Sequence, residues 1–226
     1  MRSSSTAGVV AIVAVALGIG VAGCGSDGEK AESTSAEQTS ETSATPEQAA
    51  PEMTIAEYIQ QNGIVETPVL PGDPGAPVIE LPVPRGWGRL ATMPERAYDA
   101  VIVTDPAAGG DRPRIITYVT KLTGNVDPAK IMEYAPKEIQ TLEGYEGPKV
   151  GSPTKLGETD ATQIGGAYMK NGQKRAIGQM TAVIPAADGV YMIQLNGSAP
   201  GQPEKVQALA AGSAEIAMGA KINPVA

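Results

Sequence analysis

The sequence predicts an α+β domain, an antiparallel β-sheet flanked by helices, in the order α-β-β-β-α-β-β-β-β-α. Three observations carry this reading. Short β-branched runs sit at hairpin spacing, with Asn171-Gly172 between two of them and Asp188-Gly189 marking a further turn. Helical periodicity is confined to three segments, near the start, middle and end of the domain. Strand and helix do not alternate, which excludes a doubly wound nucleotide fold.

The domain spans residues 54–226. Thr54 with Glu57 three residues on forms a capping box, Ile55, Tyr58 and Ile59 share one helical face, and Gly63 ends the helix. A Pro/Gly-rich connection, Val69 to Pro77, follows. Val78–Val83 is broken by Pro82 and reads as an edge strand at best. Tyr98–Thr104 and Arg114–Leu122 are strands, the second β-branched throughout. Asp127 caps the second helix, with Pro128 at its first position. Ile131, Ala135, Ile139 and Leu142 make its apolar stripe, and Pro136 inside it predicts a kink. Four strands are expected at Lys149–Leu156, Thr162–Lys170, Lys174–Ile184 and Val190–Asn196. Pro203–Ala220 closes the chain as a helix, with Val206, Leu209, Ala210, Ser213, Ile216 and Ala217 on its buried face.

Composition removes whole classes of function. The 226 residues contain no His, no Phe and one Cys, with 17 Lys+Arg against 25 Asp+Glu for a net charge of −8. Without His there is no Ser-His-Asp triad and no imidazole-bound zinc. One Cys allows neither an internal disulfide nor a CxxC knuckle. No metal and no cofactor are expected. An acidic chain lacks the basic face that nucleic-acid binding needs.

Residues 1–23 have the layout of a secretory signal. Arg2 is the only charge before Asp27, and an uncharged run from Ala7 to Gly23 leads into Val21-Ala22-Gly23-Cys24. That ending resembles the bacterial lipobox, in which the cysteine is acylated and becomes the new N-terminus. Gly18, Gly20 and Gly23 also spell a dinucleotide fingerprint, but without the strand and helix it requires. Acylated Cys24 would fix the chain to the outer face of the cell membrane, where two or more acyl chains hold a protein stably. Residues 24–53 then form a lipidated Cys and a Ser/Thr/Glu-rich tether. From residue 25 it carries one Lys against seven acids, so it cannot bury enough apolar surface to order itself. Its 29 residues span roughly 30 Å as a coil.

Catalytic constellations are scarce. Paired carboxylates could serve glycoside cleavage, with Asp99, Asp105 and Asp111, Glu143 with Glu146, or Glu158 with Asp160 as candidates. Most lie beside Gly or Pro, where solvated turn charges are the simpler account. No Walker loop, calcium loop or GxSxG elbow is present, so no enzyme activity is expected. A binding cavity fits better. The closing helix is crowded with Ala and Gly, which either lets it lie tight on the sheet or leaves a hollow beneath it. Eight Met and no Phe suit an irregular apolar ligand, or simply fill gaps in a core. By side-chain type the ligand-binding candidates are Trp87, Tyr118, Met132, Tyr134, Met180 and Met192. Trp87, the only Trp, falls in the loop-like PRGWG as a lid over the core or a partner contact.

Several short words occur in order across the domain. They are TIAEYIQQNGIVETPV with GDPG (54–75), LPVP-x-GW (81–87), KLTGNVDPAK (121–130), KNG (170–172) and QLN (194–196). With the lipobox they make the chain resemble the LpqN-type mycobacterial lipoproteins. The tether departs from the Thr/Pro-rich form by being Glu/Ser-rich. The resemblance implies a Mog1/PsbP-like fold and a non-enzymatic envelope lipoprotein. It also implies a glycolipid of trehalose/mycolate type as ligand, and mycolate-export or mycolyl-transfer proteins as partners. It assigns no ligand contact residue by residue.

Three functions compete. A glycolipid-binding carrier or adaptor predicts an elongated apolar pocket between sheet and helix. A pure protein-interaction module predicts a packed core and an exposed apolar patch near Trp87. A hydrolase predicts two carboxylates facing each other in a cleft.

Overall fold

The computed structural model describes residues 53–105 and 109–223. Helix α1 (Ile55–Asn62) leads to strands β1 (Val65–Pro68), β2 (Val78–Glu80), β3 (Trp87–Arg89), β4 (Asp99–Val103) and β5 (Arg114–Thr123). Helix α2 (Pro128–Gln140) precedes four strands, β6 (Ser152–Leu156), β7 (Thr159–Lys170), β8 (Gln173–Ala186) and β9 (Gly189–Pro200). Helix α3 (Pro203–Gly219) and strand β10 (Lys221–Asn223) end the described chain. The architecture is α+β, with every strand pair antiparallel.

The main sheet runs β3-β4-β5-β9-β8-β7-β6. β1 joins β5 beyond the stretch that β4 occupies, pairing Val65 with Thr123 and Pro68 with Thr120. β2 and β10 form a separate two-stranded sheet. The hairpin at Asn171-Gly172 is as the sequence predicts. Both residues have positive φ, 51° and 72°, and Lys170 pairs with Gln173 across them. The second turn sits one residue earlier than expected: Ala186 pairs with Gly189, so Ala187-Asp188 makes the loop.

Strand alternation divides the sheet into two faces. On one, Ile115, Val119, Ala182, Ile193 and Leu195 pack beneath α3 with Leu209 and Ile216. On the other, Leu122, Val190 and Met192 pack against Ile55, Ile59, Ile131 and Ala135 of α1 and α2. The capping box at Thr54 is formed, and Gly63 ends α1 in the left-handed region. Glu138 of α2 accepts the N–H of Ile55 at 2.8 Å and of Ala56 at 3.4 Å, tying the start of α1 to α2. The Pro/Gly-rich connection is pinned rather than loose: Val69 donates to the Val119 carbonyl, and the Tyr191 hydroxyl to the Gly75 carbonyl at 2.7 Å.

Several expectations need correction. β1, β3 and β10 are additional strands, so Trp87 lies on a strand and not in a loop. Of the face expected to be buried on α3, Leu209, Ile216 and Ala217 are buried, while Val206 and Ala210 are exposed and Ser213 is half-buried. The reason lies in the cavity beside that helix.

Candidate functional site

α3 covers the sheet unevenly. Its inner edge packs on the middle strands, where Leu209 seats in the space left by Gly197: a Cβ at 197 would lie 2.8 Å from the Leu209 Cδ1. Trp87 packs against Gly212 in the same way. Over β7 and β8 the helix stands off, and a groove of about 940 Å³ opens between helix and sheet. That is the size of an ordinary ligand cavity.

The groove is made by what its residues lack. On the floor, Gly165 of β7 lies opposite Gly178 of β8, which lies opposite Gly197 of β9. Ala167 and Ala176 extend the side-chain-poor strip, and Met180 and Leu195 form the apolar end of it. The roof is Val206, Ala210, Ser213, Ala214, Ala217 and Met218 of α3. From Val206 to Met218 the helix rises about 18 Å, which sets the length of the slot. A glycine inside a strand costs about 0.5–1 kcal/mol relative to alanine, so facing glycines weaken the sheet.

Two backbone hydrogen bonds tie α3 to the sheet at the ends of the groove. Gly201 donates to the Lys174 carbonyl at 3.1 Å before the helix, and Gly157 donates to the Ala217 carbonyl at 2.7 Å near its end. All four residues line the groove. The long side stays open, between exposed Val206, Ala210, Ala214 and Met218 above and Ser152, Thr154 and Gln163 below.

Among the described residues, no carboxylate lines the groove. The three cationic residues on its wall are each held by an acid just outside it. Lys155 pairs with Asp160 at 3.2 Å, Lys174 with Glu146, and Arg175 with Asp111. The Arg175 guanidinium beside it holds the Asp111 carboxyl below the usual carboxylate range. The groove therefore presents hydrocarbon and uncharged polar groups, Ser152, Thr154, Gln163 and Ser213, without a free charge of its own.

The six ligand candidates named from side-chain type are scattered. Met180 lines the groove. Tyr134 and Met192 come together on the opposite face of the sheet, in the core beneath α1 and α2. Met132 is half-buried on α2, and Tyr118 is half-buried on β5, on the face of Leu122. Trp87 packs on the core under α3. Cys24 lies outside the described residues. Of the acids named for hydrolysis, Asp99 bonds Arg89, and Asp111, Glu146 and Asp160 hold the three cations above. The groove residues that composition missed, Gly165 and Gly178, carried one readable signal: glycines inside otherwise regular strand patterns.

Residues 51–223 match the family model described as "Probable lipoprotein LpqN". The chain belongs to this family. It is 46% identical over 146 residues to "Lipoprotein LpqN" of Mycobacterium tuberculosis (strain ATCC 25618 / H37Rv), a match covering 65% of this chain and 64% of that relative. The chain thus spans somewhat less than two thirds of the curated relative. The fold matches the structure titled "Crystal structure of LpqN involved in cell envelope biogenesis of Mycobacterium tuberculosis". The TM-score is 0.71 at 42% identity, covering 77% of this chain and 99% of that one. Membership of the LpqN lipoprotein family places the chain among membrane-associated proteins. No described helix is long and apolar enough to cross a bilayer.

Proposed function

We propose that this LpqN-family lipoprotein binds a glycolipid of trehalose/mycolate type in the groove under α3, without chemically altering it. It would act as a carrier or adaptor in envelope lipid export and assembly, held at the outer face of the membrane by acylated Cys24. One observation carries the reading: a slot about 18 Å long, floored by glycine and alanine, with uncharged polar side chains along its open edge. Hydrocarbon suits the floor. A neutral polyol head suits Ser152, Thr154, Gln163 and Ser213, and Lys155, Lys174 and Arg175 each already have an acid partner outside the groove. The role in cell envelope biogenesis stated for the M. tuberculosis relative supports the same assignment.

The module without a small-molecule ligand fits less well, because Trp87, its intended contact, is spent on packing against α3. Native mass spectrometry of the chain with a trehalose monoacyl ester tests the proposal. A one-to-one adduct is expected, and its absence at high micromolar ester sinks the groove as a lipid site.

A further inference from the structure

We propose that Gly178 sets the depth of the groove and thereby the length of the single alkyl chain it accepts; this rests on the lipid-binding reading above. Gly178 lies within the fourteen-residue strand β8, on the α3 face between Ala176 and Met180. Its backbone is not in the left-handed region, and a Cβ built there meets nothing within 4 Å. Neither conformation nor packing of the fold therefore demands a glycine at this position.

The contrast with its neighbours in register is what decides the matter. A Cβ at Gly197, opposite on β9, would collide with Leu209, so that glycine exists to seat the helix. A Cβ at Gly165, opposite on β7, would come within 3.2 Å of the Ile177 carbonyl. Only Gly178 of the three opens on empty space, in a sheet position where a β-branched residue would ordinarily be favoured. A chain lying along the slot passes over it. Any side chain there takes up room that methylenes of the guest would otherwise fill.

The test uses the full chain with Gly178→Ala, Gly178→Val and Gly178→Leu, each checked for an unlowered melting temperature, and trehalose monoesters of octanoate, laurate and palmitate. In the wild-type protein affinity is expected to rise with chain length. In Gly178→Leu the palmitate ester is expected to bind about tenfold more weakly, the effect of displacing roughly two methylenes, while the octanoate ester is little affected. Gly178→Ala and Gly178→Val fall between, and keep the series readable where leucine unfolds the protein. An unchanged chain-length profile in folded variants overturns the role of Gly178 and leaves the groove reading standing. A wild-type protein that shows no dependence on chain length overturns both.

Discussion

The indole of Trp87 on β3 lies so close to Gly212 of α3 that a Cβ at position 212 would sit 2.6 Å from the Trp87 Cζ2. This contact holds the inner edge of α3 down on the sheet while its other edge spans the groove. Gly212→Ala is expected to cost about 1–3 kcal/mol by overpacking. In a Trp87→Ala background the same change should cost little, since alanine is the better helix former. Urea unfolding of the four proteins measures the coupling. Equal destabilisation in both backgrounds would dismiss the contact.

Two carboxyls are expected to give the protein opposite pH dependences. Arg175 holds Asp111 below its ordinary value of 3.8, so their pairing contributes stability above that value that is lost as pH falls through the depressed folded value. Asp111→Asn should therefore lower stability near neutrality and converge with wild type in strong acid. Burial raises Glu138 above its ordinary 4.5, against the pull of the Ala56 and Ile55 N–H groups. The native state then holds its proton longer than the unfolded chain, and wild-type stability falls as pH rises above 4.5. Glu138→Gln keeps an acceptor for those N–H groups and should remove that fall. Denaturant melts from strong acid to neutrality check both signs, and a Glu138→Gln curve parallel to wild type would count against its burial.

Acylation at Cys24 is expected to anchor the chain. Wild-type protein should take up radiolabelled palmitate and fractionate with membranes, and Cys24→Ser should do neither. A serine variant still fixed to the bilayer would show that another segment does the anchoring.

The long elements were legible because each carried its own punctuation. Thr54 with Glu57, Asp127 with Pro128, and Asn171 with Gly172 fix boundaries locally, and all three features are present. β1, β3 and β10 were not legible. They are three or four residues long, and their positions come from partners far along the chain, Leu122 for Glu66 and Val103 for Trp87. The groove was half legible. The small residues of α3 allowed either close packing or a hollow, and the choice depends on which strands lie beneath which turn. Leu209 meets a glycine it fills, while Ala210 and Ala214 line a groove whose floor includes Gly178, which nothing fills. Helical periodicity cannot separate those two cases, so Val206 and Ala210 read as core.

The two hydrogen bonds from Gly201 to Lys174 and from Gly157 to Ala217 act as stitches at either end of a seam. While they hold, a lipid bound as proposed would not thread through lengthwise. The proposed glycolipid would have to settle broadside, all of its methylenes leaving water together, and depart the same way. Hand-over to a recipient would then favour a surface that can receive the whole length at once, presented along the β6 flank, over one that draws the molecule out by its tip.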